Sequence, residues 1–249
     1  MKKIHLFTND KRIIKIVSNF FYIQKIFTED KKLGNFKKKN KKVILINSVE
    51  KISIKNFQDT DLALSYGFGL IFKKKFIEKY PLGIWNIHPG DLPKYRSRHP
   101  ISWAFLNNEK KIGLSIHIIN EKIDMGILLA KKFISRTFQD DEKTVIKKIF
   151  KILPATLSLA IKNFKKKKTT KLKKGKYHKA LFNGIKINNP KNYDYLYIYN
   201  AIKSQKYFEG LQIVNKRFKD VIFFSKKKLK KKHKIIECKN NKKIIGILK

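Results

Sequence analysis

The chain has 249 residues, 42% of them hydrophobic, and a formal net charge of +42. That is enough for one ordinary α/β domain with a small appendage, and it excludes an intrinsically disordered chain. No apolar run approaches the roughly 18–20 residues of a membrane span, and the single cysteine, Cys238, excludes an internal disulfide or a thiolate metal site.

In chain order, "IHLFT" (4–8) reads as a buried strand leading into a turn at Asn9-Asp10, with Asp10 as N-cap of a helix through Phe20. Strands are expected at 21–27 and 41–47, a short helix over 50–57, and a strand at 61–67 ending in a glycine turn. An amphipathic helix over 72–80 precedes a strand at 83–88. Pro100 opens a short helix over 100–108. Two more strands, 112–119 and 126–134, lead to a long helix from Glu142 to Phe164. The alternation predicts an α/β fold with a parallel or mostly parallel sheet, whose site lies at the carboxyl ends of the strands. The first strand runs into "TNDKR" rather than G-x-G-x-x-G, and no P-loop is present, which argues against NAD, FAD or a P-loop nucleotide.

The expected organisation is a catalytic domain over 1–164, a solvated lysine-rich linker over 165–184, and an α+β element over 185–249. The last contains a tyrosine-rich helix (192–203) and short β-like runs. An element this small is marginal alone and is expected to pack on the main domain or on a second subunit, so a homodimer is one expectation. The amino terminus starts basic, but charge returns at once. It makes a poor signal peptide, and a cytoplasmic location is expected.

The charge invites a polyanion partner. Only five of the 60 basic residues are arginines, however: Arg12, Arg96, Arg98, Arg136 and Arg217. Specific phosphate recognition favours the guanidinium fork. A lysine, isoleucine, asparagine and phenylalanine excess spread along the whole chain fits AT-rich coding better than a selected binding face.

The chemistry-bearing stretch is "WNIHPGDLPKYRSRHP" (85–100). On a strand, Asn86 and His88 share a parity and face the same way. An amide beside an imidazole can hold and protonate a carbonyl oxygen as it becomes an oxyanion. Asp124, in "EKIDMG", follows the strand that ends near Ile119 and could reach the same sheet edge, where a carboxylate would orient and charge the imidazole. From these residues alone the plainer reading is favoured: a structural histidine at a strand end and an aspartate that makes a turn. No His/Cys cluster offers a metal site.

The segment Leu62–Leu129 resembles the catalytic core of the formyltransferases that use 10-formyltetrahydrofolate, a family that includes methionyl-tRNA, glycinamide ribonucleotide and amino-sugar N-formyltransferases. The resemblance rests on "YG" at Tyr66-Gly67 and on "NIHPGDLPKYRSRHPISWAF…IGLSIHIINEKIDMG". It implies a Rossmann-like fold, and catalytic roles for Asn86, His88 and Asp124. It also implies a largely apolar folate pocket beside 66–72 and 120–126, with Tyr66, Gly67, Leu70, Ile123 and Gly126 as its residues, and no metal. Ser97 stands where the family usually has glycine, and Met125 where threonine is common; neither touches the three catalytic positions.

Within that family the helix tryptophan and the strand histidine of "RHPISWAFLNNEKKIGLSIH" resemble the amino-sugar enzymes, which implies a nucleotide-linked amino sugar as acceptor. Tyr95, Arg96, Arg98, Trp103 and His117 are then expected on the acceptor side, the arginines facing a diphosphate. Aminoacyl-tRNA is the alternative acceptor, favoured by charge and disfavoured by a C-terminal element smaller than the family's tRNA enzymes carry. A formyltetrahydrofolate hydrolase, or a non-catalytic basic RNA- or membrane-associated protein, are further alternatives.

Overall fold

The computed structural model describes residues 1–35, 42–53, 57, 60–181, 184–207, 210–225 and 229–249. The chain forms two compact units: Met1–His88 with Leu114–Lys132 and Ile152–Gly175, and Pro89–Gly113 with Phe133–Lys151 and Lys176–Lys249. Their elements in chain order are β1 (Lys3–Thr8), α1 (Arg12–Ser18), β2 (Tyr22–Thr28), α2 (Lys31–Gly34), β3 (Val43–Leu45), β4 (Ala63–Tyr66), α3 (Lys74–Ile77), β5 (Ile84–His88), α4 (Pro100–Leu106), β6 (Lys111–Ile118), β7 (Ile127–Ser135), α5 (Glu142–Lys165), β8 (Thr170–Lys171), β9 (Lys186–Ile187), α6 (Tyr195–Gln205), β10 (Leu211–Ile213), β11 (Lys216–Phe223), β12 (His233–Glu237) and β13 (Lys243–Leu248).

The large sheet has the order β3-β2-β1-β4-β5-β6-β7-β8. Strands β3, β2, β1, β4 and β5 pair in parallel, so the sheet is mostly parallel as expected. Strand β6 joins β5 antiparallel, and β8 joins β7 antiparallel. Strand β1 is buried along nearly its whole length, the signature of a strand covered on both faces. Beside it, Phe7 stacks on Phe27 at 4.9 Å and meets Phe72 edge-on at 5.0 Å, in a cluster completed by Phe76 and Tyr80. Of the helix expected over 50–57, residues 54–56 lie outside the described residues, and 50–52 form a turn. Asp10 does not cap α1 in the expected way: its carboxylate takes the Arg12 amide at 2.9 Å and the Arg12 guanidinium.

His5 sits inside this core, fully buried, with Nδ1 2.8 Å from the Tyr80 hydroxyl and no partner for Nε2 among the described residues. Burial, and then the charge of Lys25, lowers its pKa from 6.5 to about 4. The unfolded chain therefore binds a proton between these values that the folded chain refuses. Stability is expected to fall as pH drops from about 6.5 towards 4, by on the order of 3 kcal/mol in all. Urea titrations from pH 7 to pH 4.5 should show that decline in the wild type and a shallower one in His5→Phe. Parallel declines would remove His5 as the cause.

In the second unit a five-stranded sheet, β12-β13-β11-β10-β9, carries α6. Ile198, Ala201 and Ile202 of α6 pack with Leu211, Phe218, Val221 and Ile244, and Leu106 of α4 joins the same core. Buried Arg136 binds the unit internally: its guanidinium donates to the Glu109 carbonyl (2.7 Å), Asn200 Oδ1 (2.8 Å) and Asn108 Oδ1 (3.0 Å).

Within the second unit, residues 185–249 share one core with Leu106 of α4, and Asn200 of α6 accepts from Arg136. The segment 165–184 is not a solvated tether where it is described. Lys171 and Thr170 pair with Ile127 and Leu128, Leu172 is buried, and His178 is buried with its amide on the Arg96 carbonyl at 2.8 Å.

Candidate active site

The site grows from the end of β5. Alternation places Asn86 and His88 on one face, and the antiparallel register with β6 sets His117 directly opposite Asn86 and Ser115 opposite His88. Cross-strand partners share a face, so His117 joins the pair. His88 and His117 are both buried, their rings 6.5 Å apart and nearly perpendicular.

The loop between β6 and β7 supplies the carboxylate. Asn120 accepts the Lys122 amide at 3.0 Å and donates to the Met125 carbonyl at 3.2 Å, and the Met125 amide closes on the Lys122 carbonyl at 3.1 Å. Asp124 sits in this turn at φ +53°, a left-handed conformation that aspartate tolerates better than most residues. Gly126 follows because nothing larger fits: a β-carbon there would run into the Ile118 carbonyl.

These constraints bring Asp124 Oδ1 to 3.7 Å from His88 Nδ1 and 3.6 Å from His117 Nε2, with its side chain only 9% exposed. Asn86 Nδ2 lies 3.3 Å from His117 Nε2, and His117 Nδ1 lies 3.2 Å from the Ile118 carbonyl. With Nδ1–H on that carbonyl, Nε2 accepts one of the two Asn86 N–H groups and leaves the second for another acceptor. The result is a nearly dry group of one amide, two imidazoles and one carboxylate, able to donate hydrogen bonds to a developing oxyanion and to hold an imidazolium beside a negative charge.

The structure thus gathers Asn86, His88 and Asp124, and adds His117, which the sequence suggested only as an acceptor-side residue. The missed signal was the common face of Asn86 and His117, which depends on strand register. Among the other expected residues, Tyr66 is buried at the end of β4, and Gly67 turns the chain at φ +56°. Leu70 is half-buried against the phenylalanine core, and Ile123 is 46% exposed in the same loop as Asp124.

A second tie at the strand ends escaped the sequence. Asn9 Oδ1 accepts from Thr28 Oγ1 (3.0 Å) and from the amides of Glu29 (3.1 Å) and Asp30 (3.2 Å). Asn9 Nδ2 donates to Glu29 at 2.8 Å, and the Glu29 carboxylate also takes the Gly69 amide. The "TNDKR" turn therefore locks the loops after β1, β2 and β4 together.

Tyr95, Arg96, Arg98 and Trp103 belong to the second unit. Tyr95 is turned inward, 2% exposed, donating to Glu109 at 2.6 Å and accepting from Asn107 at 3.2 Å. Burial and the Glu109 carboxylate push its hydroxyl pKa well above the usual tyrosine value. Trp103 donates to the Lys179 carbonyl at 2.9 Å and packs on the His178 ring at 4.8 Å. Both side chains brace the 176–181 segment, a role the acceptor-side expectation did not include. Arg96 is half-buried, its guanidinium 5.8 Å from the Tyr177 ring, and Arg98 is exposed.

No group of three or more His, Cys, Asp or Glu side chains suited to a metal ion occurs among the described residues, and no helix among them is long and apolar enough to cross a membrane.

Comparison with known proteins adds the following. A family model described as formyl transferase matches residues 25–161. By sequence, the chain is similar to methionyl-tRNA formyltransferase of Pseudothermotoga lettingae, 39% identical over 97 residues, covering 37% of this chain and 32% of the relative. The matched part spans less than half the length of the curated relatives compared. By structure, it resembles a sugar 3N-formyl transferase crystallised in the presence of dTDP and 5-N-formyl-THF, with a TM-score of 0.72, 21% identity, and coverage of 100% of this chain and 98% of the other. An N-formyltransferase from Helicobacter canadensis, in complex with folinic acid and dTDP-3-aminofucose, gives a TM-score of 0.72 at 18% identity and covers both chains fully. At such identities the structural likeness speaks for the fold.

Proposed function

Because the chain belongs to the formyl transferase family, whose model matches more than half of its length, we propose that it transfers a formyl group from 10-formyltetrahydrofolate to a primary amine, the amino group of a nucleotide-linked amino sugar. The observation that carries this reading is the Asp124 carboxylate held between His88 and His117, with Asn86 on the same face. The donor set fits a formyl carbonyl, whose oxygen gains charge when an amine attacks the carbon.

In this reading, 10-formyltetrahydrofolate supplies the electrophilic carbon. The second Asn86 N–H and the His88 imidazolium donate to the oxygen that collects negative charge. Asp124 keeps His88 protonated and accepts the proton shed by the attacking amine, directly or through water; the tetrahedral adduct then collapses with cleavage of the C–N10 bond, and N10 takes up a proton as tetrahydrofolate leaves. His117 holds the Asn86 amide in its working orientation. Tyr66, Gly67, Leu70, Ile123 and Gly126 are the proposed folate residues, and Arg96 and Arg98 the proposed ligands of a diphosphate.

Sequence similarity to methionyl-tRNA formyltransferases supports aminoacyl-tRNA as a second reading. The two separate on a panel of amines offered with 10-formyltetrahydrofolate. Turnover is expected with dTDP-linked amino sugars. Any tRNA binding is expected to be weak, indifferent to sequence and steeply lost as salt rises, as counterion release dictates. Formylation of charged initiator tRNA in preference to elongator tRNA at about 0.15 M salt would promote the tRNA reading.

A further inference from the structure

The C-terminal end of α5 and the strand after it carry eight lysines and no acidic residue within Lys162–Lys174. All eight are exposed, yet the backbone beneath them is fastened to the first unit. Asn163 donates to the Leu129 carbonyl at 2.7 Å, Phe164 packs on Trp85 at 4.9 Å, and Lys167 turns the chain at φ +53° as the helix ends. Strand β8 then pairs with β7, Lys171 opposite Ile127, and the Leu172 amide donates to the Gly126 carbonyl at 3.1 Å. Gly126 is two residues from Asp124. Because β8 runs antiparallel to β7, the chain beyond Lys171 heads towards the 120–126 loop, and Lys173 and Lys174 follow directly. Lys171 and Lys173 therefore flank in sequence the Leu172 amide that is bonded to Gly126, in the loop that carries Asp124.

We propose that Lys171, Lys173 and Lys174 form an anion-binding rim for the glutamyl tail of the folate co-substrate, and that the protein favours folates extended by γ-linked glutamates; this rests on the folate reading above. A folate ends in a benzoyl-glutamate with two carboxylates, and each added γ-glutamate brings one more on a flexible chain. A row of exposed lysines matches that ligand: ammonium groups are mobile point charges that follow spaced carboxylates, whereas a compact diphosphate suits the guanidinium fork. The row also borders the loop assigned to the folate, while the candidate diphosphate ligands, Arg96 and Arg98, lie in a different segment. Lys171, Lys173 and Lys174 are all exposed.

The test is direct binding, independent of turnover. The full chain is titrated with 5-formyltetrahydrofolate as the monoglutamate and as the pentaglutamate, at about 0.15 M salt. Several screened lysine–carboxylate contacts together should make the pentaglutamate about tenfold tighter in the wild type, with the advantage shrinking as salt rises. In the triple variant Lys171→Gln/Lys173→Gln/Lys174→Gln, with wild-type circular dichroism, the two constants should come within about twofold of each other. Equal constants in the wild type, or a tenfold advantage that survives the triple substitution, would overturn the proposal while leaving the folate reading intact. So would a triple variant whose loss falls on dTDP or on tRNA instead of on the longer glutamyl tail. Failure of both folates to bind would overturn the folate reading itself, and this proposal with it.

Discussion

Replacement of His88 by Asn, or of Asp124 by Asn, is expected to lower formyl-transfer turnover by at least about 10²–10³-fold, the usual loss when one preorganised oxyanion donor is removed. Both side chains are nearly dry, so each contributes where screening by water is weakest. Asp124→Asn keeps volume and shape and removes only the charge that favours a protonated His88. His88→Asn leaves a donor of shorter reach that cannot carry a proton. The loss should appear in kcat, with Michaelis constants for both substrates changing little and thermal unfolding near the wild type. Near-wild-type kcat in either variant would end the assignment of these residues to the transfer step.

Gly126→Ala is expected to be the most damaging single methyl in the first unit. Its β-carbon would overlap the Ile118 carbonyl oxygen, which belongs to backbone and cannot swing aside. The 120–126 loop would have to shift, carrying Asp124 away from His88 and His117. Overpacking of this kind costs about 3 kcal/mol, or a fall of roughly 10 °C in Tm for a chain of this size, and turnover should fall alongside. Gly67→Ala is the control for strain without collision. Gly67 has φ +56° and nothing within 4 Å of the place its added methyl would occupy, so only the left-handed backbone penalty of about 1 kcal/mol applies. Scanning calorimetry on the two variants separates the cases, and equal small shifts would mean that the loop yields where the packing says it cannot.

Much of the first unit was legible in the chain. Strands β1, β2 and β4 to β7 fall on apolar runs bounded by turn residues, and Pro100 opens α4 where the sequence put it. Local chemistry sufficed there because each strand carries buried apolar positions and several boundaries carry a glycine, proline or asparagine signal. Strand β8 carried no such signal. It is a two-residue pairing inside a lysine run, made by the edge that β7 offers rather than by any pattern of its own. The same holds for the segment 176–181, whose place comes from Trp103 donating to the Lys179 carbonyl and His99 accepting the Leu181 amide, partners about eighty residues away in the chain. The separation of catalytic domain, linker and C-terminal element followed charge and length, whereas compactness follows shared cores. Arg136 and Leu106 bury themselves with α6, so pieces distant in sequence form one unit.

What the sequence determined by itself about the site is the side of the strand. A period of two in β5 puts Asn86 and His88 on one face whatever surrounds them, and the turn after β6 delivers Asp124 to the same edge. What only the tertiary structure decided is the company they keep. The direct opposition of Asn86 and His117 depends on the antiparallel register of β5 and β6; a slip of one residue would turn His117 to the other face. That register pairs strands about thirty residues apart in the chain, a long-range relation to which no local window of the sequence has access.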